Sequence, residues 1–197
     1  ISMLAVFLGR QRALSKADAT AIVKELSEMP QLIEKVLLRA EEIKAIAKKY
    51  QTANHFFVIG RKYSFPVALE GAIKLKETAC LHAEGIAAGE LKHGPIALID
   101  ADFPTIAIAP SDSVYEKTIS NIQEIKARGG KVIVIATEGN EEIKRLADDL
   151  MYIPKSLEIL SPILATIPFQ LLAYYMGVQK GYDVDKPRNL AKSVTVE

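Results

Sequence analysis

The amino-acid sequence predicts an α/β fold, in which a mostly parallel β-sheet lies between layers of helices. Short, continuously apolar runs alternate with longer segments of helical period, which is the pattern of a parallel sheet with helical crossovers. The runs lack polar–apolar alternation, so we expect strands that are buried on both faces. With 197 residues, 49% of them hydrophobic and 25% charged, the composition excludes a disordered, collagen-like or coiled-coil chain.

Helical patterns precede the first predicted strand. Residues 1–13 have the character of the end of an apolar helix, and residues 15–29 place Ile22, Val23 and Leu26 on one helix face. We expect Pro30 to end this helix, because proline lacks the backbone N–H and clashes with the preceding turn. Residues 31–50 then repeat apolar side chains at the helical period and predict one long amphipathic helix.

The strands and helices of the predicted sheet follow in alternation. Apolar runs predict strands at residues 55–59, 104–109, 131–136 and 150–153, and helical patterns lie at 66–81, 114–128 and 141–147. Residues 159–178 carry no charge and are as long as a membrane span, but they include prolines and a glutamine. We interpret them as a buried core helix, with a transmembrane helix as the alternative. Residues 181–197 are polar and predict an irregular tail.

Charge and cysteine content narrow the function classes. Lys and Arg number 25 against 24 Asp and Glu, so the net charge of +1 gives no electrostatic signature of a nucleic-acid partner. The single cysteine, Cys80, excludes an intrachain disulfide, and no Cys/His cluster suggests structural zinc. We therefore expect no structural metal and a reducing, cytoplasmic compartment. With residues 159–178 interpreted as a core helix, we also expect no membrane association.

The loop after the first predicted strand, residues 60–66, is a candidate anion site. Ligands of open parallel sheets bind beyond the carboxyl ends of the strands, and Gly60 is followed by Arg61 and Lys62 at the start of a helix. The loop has one glycine and no P-loop lysine, so a plain turn with two solvated cations remains an equal alternative.

Two further segments carry chemically capable side chains. Glu70, Lys74 and Glu77 share one helix face. They could form a proton-transfer group, or they could be solvated ion pairs that contribute about 0.2–0.5 kcal/mol each. Spacing alone favours the ion pairs. His82 is expected to pack in the core. His93, beside a Gly-Pro turn, could act in acid–base chemistry or cap a helix end, and spacing leaves both open.

Longer motifs add a family resemblance. Residues 69–77, 82–84, 88–95 and 185–197 resemble, in this order, the C-terminal isomerase half of the glucosamine-6-phosphate synthase family, also called glutamine–fructose-6-phosphate aminotransferases (isomerizing). That half contains two sugar-isomerase (SIS) subdomains, and the chain is similar to the second. The resemblance implies a three-layer α/β/α SIS fold. It implies that residues 1–30 end the preceding subdomain and linker, 31–180 form the second subdomain and 181–197 are the tail of the isomerase site.

The resemblance also implies roles for individual residues. Lys192, which by spacing alone is an ordinary tail lysine, matches the lysine that forms a Schiff base with the sugar ketone, and Ala191 matches a backbone contact to the sugar. Glu77 matches the general base that moves a proton between C1 and C2, and Lys74 the lysine that assists at the sugar hydroxyls. His93 matches the ring-opening histidine, which in the family reaches the site of a neighbouring subunit.

The implied reaction makes D-glucosamine 6-phosphate and L-glutamate from D-fructose 6-phosphate and L-glutamine, without a cofactor. It implies a homodimer, a first SIS subdomain that holds the phosphate-binding loop, and an N-terminal glutaminase domain, both outside this chain. We therefore expect the chain to be incomplete alone. A non-catalytic sugar-phosphate-binding SIS module and a plain phosphosugar isomerase are the alternatives.

Overall fold

A five-stranded parallel sheet lies in the middle of the fold, between layers of helices. The computed structural model describes residues 1–190, and the strands are β1 His55–Gly60, β2 His82–Ala87, β3 Thr105–Ala109, β4 Val132–Thr137 and β5 Asp149–Ile153. Their order across the sheet is β2-β1-β3-β4-β5, and every neighbouring pair is parallel. The predicted α/β class is confirmed, and the strand order reverses between β1 and β3.

Helices cover both faces of the sheet. They are α1 Ser2–Arg10, α2 Lys16–Leu37, α3 Ala40–Lys49, α4 Ser64–Ala79, α5 Tyr115–Lys126 and α6 Ser161–Gln179, with 3-10 segments at Ala88–His93, Pro95–Leu98 and Ile143–Arg145. Residues of α2, α3, α4 and α6 form one hydrophobic cluster with the sheet, and α5 with the first and last 3-10 segments forms the other. Phe56 and Phe57 are both fully buried, one in each cluster, which explains why the strand sequences are continuously apolar.

Helix α6 accounts for the uncharged segment near the end of the chain. Among the described residues it is the one helix long and apolar enough to cross a membrane, and half of its apolar stretch is buried within the protein. Leu164, Phe169 and Met176 are fully buried, and α6 packs against α3 and α4. The interpretation as a core helix is confirmed, since this packing explains the apolar composition.

The predicted helix break at Pro30 is wrong. Helix α2 continues through Pro30 to Leu37, and the chain turns instead at Leu38 and Arg39. Met29 and Val36 are buried on either side of the proline, within the same cluster. Burial of this continuous apolar face outweighs the roughly 3 kcal/mol that an interior proline costs a helix. The proposed domain boundary at residue 30 therefore falls inside a helix, and it stays a prediction.

Two further predictions need correction. Residues 141–147 form only a short 3-10 segment, Ile143–Arg145, rather than a helix. Residues His82–Ala87, for which we predicted no strand, form the edge strand β2. A Cβ atom at Gly85 would lie 2.9 Å from the Cα atom of Leu69 in α4, so the small residues of β2 allow close contact with that helix. A run of small residues carries no strand pattern, and tertiary packing decides the conformation.

Candidate functional site

One face of α4 carries a compact set of charges. The Lys74 ammonium donates a hydrogen bond to Glu77 Oε2 at 2.7 Å, and it lies 3.5 Å from Glu70 Oε1. The opposite face of α4 is buried, and a Cβ atom at Gly71 would lie 2.6 Å from the Phe169 ring of α6. This close packing fixes the rotation of α4, so the three charged side chains point away from the core together.

Lys74 and Glu77 can play different chemical roles, one as a fixed cation and the other as a proton acceptor. The hydrogen bond to Glu77 raises the pKa of Lys74 above its ordinary value, against the opposing effect of partial burial, and the charge of Glu70 raises it further. Lys74 therefore remains a cation near neutral pH. A fixed ammonium can stabilise negative charge on a substrate oxygen, while the neighbouring carboxylate is the group able to accept a proton.

Glu77 lies at a cavity between the end of α4 and the C-terminal segment. The cavity has a volume of about 220 Å³ and is lined by Glu77, Thr78, Cys80, Gly181, Tyr182, Asp183, Lys186, Pro187 and Arg188. The ends of α4 and α6 meet closely here, because a Cβ atom at Gly177 would lie 2.5 Å from the carbonyl oxygen of Thr78. The Tyr182 amide donates to the Gly177 carbonyl at 3.0 Å, which turns the chain back towards α4 after Gly181, whose φ is +75°.

The C-terminal segment beside Glu77 is held by local contacts. Asp183 Oδ1 accepts hydrogen bonds from the amides of Asp185 at 3.0 Å and Lys186 at 3.2 Å. The guanidinium of Arg188 lies 5.3 Å from the centre of the Tyr182 ring, within the range of a cation–π contact. Two predicted site residues, Ala191 and Lys192, lie outside the described residues.

His93 does not join Glu77 within one chain. Helix α4 starts after the carboxyl end of β1 and finishes before the amino end of β2, so Glu77, in its last turn, lies at the amino edge of the sheet. His93 is exposed and ends the 3-10 segment that follows the carboxyl end of β2. Its neighbour Lys92 pairs with Glu124 of α5 at 2.7 Å, on the other face of the sheet. Glu77 and His93 thus lie at opposite edges of the sheet and on opposite faces of it.

The other sequence candidates have defined environments. Arg61 Nε donates to Asn121 Oδ1 at 3.0 Å, and Lys62 Nζ donates to Glu158 Oε1 at 2.5 Å. Each cation of the loop thus has a hydrogen-bond partner, although the Lys62 side chain is exposed. The expected core packing of His82 is wrong, because its side chain points outward from the edge strand, with its ring 5.6 Å from that of His55. Cys80 is partly exposed and ends α4 in a left-handed conformation with φ +51°.

Sequence reasoning missed part of the lining of this cavity. Thr78 follows Glu77 directly, and Tyr182 precedes the motif at residues 185–197, but neither has a spacing that predicts a shared cavity. The one local signal is Gly177 near the end of an apolar helix, because a glycine there allows the backbone of another segment to come close to the helix. Within residues 1–190, no group of three or more His, Cys, Asp or Glu side chains is placed to hold a metal ion.

Comparison with known proteins agrees with this fold. The family model of the SIS domain matches residues 49–179. The chain belongs to the SIS domain family. Over its whole length, this SIS chain is 52% identical to the glutamine–fructose-6-phosphate aminotransferase (isomerizing) of Thermus thermophilus and 50% identical to that of Bacteroides thetaiotaomicron. It spans only about a third of the length of these relatives, 33% and 32%.

A solved structure shows the same arrangement of elements. The C-terminal domain of glucosamine-fructose-6-phosphate aminotransferase from Francisella tularensis matches with a TM-score of 0.86 and 33% identity, over 93% of this SIS chain and 52% of that chain. A tagatose-6-phosphate ketose/aldose isomerase homologue from Clostridium novyi matches with a TM-score of 0.79 at 20% identity, a likeness of fold alone. The three-layer SIS fold implied by the resemblance is confirmed.

Proposed function

We propose that this chain is the second sugar-isomerase unit of a glutamine–fructose-6-phosphate aminotransferase (isomerizing), and that it supplies acid–base groups for converting fructose 6-phosphate into glucosamine 6-phosphate. The observation that carries the proposal is the hydrogen-bonded pair of Lys74 and Glu77, with Glu77 lining a cavity beside the C-terminal segment. Relatives of that name at 50–52% identity, matched over the whole chain, support it.

The proposed chemistry starts with an imine. The Lys192 amine adds to the C2 carbonyl of the open-chain ketose and water leaves, so that electrons are drawn from C1 and its hydrogen becomes acidic. Ammonia from another part of the longer polypeptide adds at C2 of this imine and the Lys192 amine leaves, so that the sugar carries a free imine. Glu77 then accepts the proton from C1 and returns a proton to C2 while the C1 hydroxyl loses its proton and becomes the aldehyde, and the Lys74 cation stabilises the negative charge that develops on that oxygen.

The position of the C-terminal segment supports a role for Lys192. Arg188 lines the same cavity as Glu77, and Lys192 follows it by only four residues. Four residues of extended chain reach at most about 14 Å, so the sequence separation from Arg188 allows Lys192 to act beside Glu77. The local contacts of Asp183 and Tyr182 hold the start of that connection in place.

The site is incomplete within this chain, and we assign the missing parts to other units. The cavity of about 220 Å³ is smaller than the roughly 300–1,000 Å³ of typical ligand pockets. The preceding sugar-isomerase unit of the longer polypeptide supplies the phosphate-binding loop. A second copy of the chain supplies His93, since that residue lies at the other edge of the sheet from Glu77. A single, unpaired cysteine fits a cytoplasmic enzyme.

Borohydride trapping tests the proposal directly. The chain, and a longer polypeptide that includes the preceding sugar-isomerase unit, are mixed with fructose 6-phosphate and reduced, and the modified peptide is identified by mass spectrometry. We expect selective labelling of Lys192 in the longer polypeptide, with Lys192→Arg as the unlabelled control. Labelling of other lysines, or none in either protein, would contradict the imine role. Glucosamine 6-phosphate formation that depends on ammonia separates this activity from that of a plain phosphosugar isomerase.

A further inference from the structure

The crevice between the carboxyl ends of β1 and β3 is a second place where ligands could bind. The strand order reverses there, and in doubly wound sheets this switch point is the usual ligand site. Lys62 lies in the loop after β1, Ser113 in the loop after β3, and Glu158 in the segment before α6. We call these three residues the switch-point crevice. Lys62 precedes α4 and Glu77 lies in its last turn, so about 20 Å of helix separates the crevice from Glu77.

Three hydrogen-bond donors in the crevice converge on one carboxylate. Glu158 Oε1 accepts from the Lys62 ammonium at 2.5 Å and from the Ser113 hydroxyl at 2.9 Å. Glu158 Oε2 accepts from the Ser113 backbone amide at 3.3 Å, and the Lys62 ammonium also donates to Ser113 Oγ at 3.0 Å. An ammonium, a hydroxyl and a backbone N–H are the donors that proteins use to bind phosphate and other oxyanions.

The charges of the crevice fit an anion that is already bound. The hydrogen bond from Lys62 lowers the pKa of Glu158, and the same contact raises the pKa of Lys62, so both groups are ionised near neutral pH. Asp112, whose carboxylate accepts from the Val114 amide at 3.0 Å, adds a second negative charge beside the crevice. Burial, together with the charge of Glu158, raises the pKa of Asp112.

The backbone holds both partners in position. Lys62 has φ +50°, a left-handed conformation that is unfavourable for a residue with a Cβ atom and here accompanies the contact with Glu158. On the other side, the Ser161 hydroxyl donates to the Glu158 carbonyl at 2.9 Å, and the Leu157 amide donates to Glu25 of α2 at 2.7 Å. These two hydrogen bonds fix the backbone on both sides of Glu158 and so hold its side chain beside Lys62.

We infer that Glu158 is a built-in anion of the switch-point crevice: its carboxylate takes the place that a phosphate group would occupy between Lys62 and Ser113. The contact prevents this unit from binding a sugar phosphate at its switch point. The inference goes beyond the proposed function, because it concerns a crevice that contains none of the groups assigned to the chemistry. It predicts that removal of one carboxylate creates an oxyanion site.

Inorganic phosphate is the probe, and the backbone amide of Ser113 is the reporter. Phosphate is titrated into the 197-residue chain while the Ser113 amide signal is followed by NMR. We expect Glu158→Ala to bind phosphate at least ten times more tightly than the wild type, with a shift centred on Ser113. The double variant Glu158→Ala/Lys62→Ala should lose that gain, because the ammonium is then missing. Glu158→Gln, which keeps the size of the side chain and removes its charge, provides a gain-of-binding variant should the alanine variant not fold.

The matched control is Glu141→Ala. Glu141 and Lys144 form an exposed ion pair of 2.6 Å, so this variant also frees one lysine and measures what an unpaired surface ammonium binds. The inference is overturned if the wild type binds phosphate at Ser113 as tightly as the Glu158 variants. It is equally overturned if a folded Glu158 variant gains no more affinity than Glu141→Ala. Because the titration needs neither the sugar nor the isomerase reaction, its result is independent of the proposed function.

Discussion

The charged face of α4 allows a sharp test of whether Glu77 is a base or merely one half of an ion pair. The substitution is Glu77→Gln, which keeps the shape of the side chain and an oxygen that can still accept a hydrogen bond from Lys74. It removes the negative charge and the ability to take up a proton near neutral pH. The two explanations then predict very different sizes of effect on stability and on chemistry.

The expected effect on stability is small. The side chains of Lys74 and Glu77 are 29% and 37% exposed, and they are one turn apart on the same helix. Screening by solvent limits such a pair to about 0.3–0.5 kcal/mol. We therefore expect the free energy of unfolding, measured by urea denaturation of the chain, to change by less than about 0.5 kcal/mol in Glu77→Gln.

The expected effect on proton transfer is large. Loss of a general base lowers a rate by about 100- to 10,000-fold. Exchange of the C1 hydrogen of fructose 6-phosphate with solvent deuterium, followed by NMR in a polypeptide that includes the preceding sugar-isomerase unit, should fall by about 100-fold or more. Sugar binding should persist, because the glutamine keeps the shape of the site.

Glu70→Gln is the matched control. Glu70 is the other carboxylate beside Lys74, at 3.5 Å, but the cavity is lined by Glu77 and not by Glu70. Exchange in Glu70→Gln should stay within a few-fold of the wild type. Near-normal exchange in Glu77→Gln would refute the assignment of the base. Equal losses in both variants would show that the charge state of Lys74, rather than the basicity of Glu77, controls the reaction.

Two further predictions concern the scaffold that holds the site. Asp148 accepts from Lys126 Nζ at 2.7 Å and the Val132 amide at 2.8 Å, and these bonds lower its pKa although its burial alone would raise it. Asp148→Asn should lower the free energy of unfolding at pH 7 by about 1–3 kcal/mol, and urea denaturation should show the difference shrinking as the pH falls through the lowered pKa. Gly71→Ala should destabilise by about 1–3 kcal/mol, because the new methyl meets the Phe169 ring, and Phe169→Leu in the same chain should recover part of the loss in thermal unfolding.

The elements that the sequence predicted correctly are those whose own residues show the pattern of a strand or a helix. Strands β1, β3, β4 and β5 are continuous apolar runs, since neighbouring side chains such as Phe56 and Phe57 enter the cores on opposite faces of the sheet. Strand β2 has no such run. Its conformation depends on the contact of Gly85 with the backbone of Leu69, which is distant in sequence. Likewise, Pro30 stays within α2 because of tertiary packing that local propensity does not include.

The candidate site divides in the same way. The contact of Lys74 with Glu77 follows from their spacing of three residues on a helix, so it could be predicted locally. The cavity beside Glu77 could not, because it requires Gly177 to bring α6 against Thr78 and the C-terminal segment to fold back. The contact of Lys62 with Glu158 joins residues 96 positions apart, and no pattern near either residue indicates it.

The separation of His93 from Glu77 leads to a final prediction, about subunits. If both residues act on one sugar, and one chain holds them at opposite edges of its sheet, then two chains must contribute to each site. Variants Glu77→Gln and His93→Ala are each expected to be inactive alone. In a mixed dimer, one site combines both defects, while the other combines the intact Glu77 of one chain with the intact His93 of its partner.

Mixing the two inactive variants should therefore restore activity. Random pairing makes half of the dimers mixed, each with one intact site, so an equal mixture should recover about a quarter of the wild-type activity in a polypeptide that includes the preceding sugar-isomerase unit. The control mixture combines Glu77→Gln with Lys74→Ala. These two residues are hydrogen-bonded at 2.7 Å within one chain, so every site of a mixed dimer keeps one defect and no activity should return. Failure of the first mixture to recover, despite mixed dimers seen by native mass spectrometry, would place His93 and Glu77 in different reactions or remove His93 from the site.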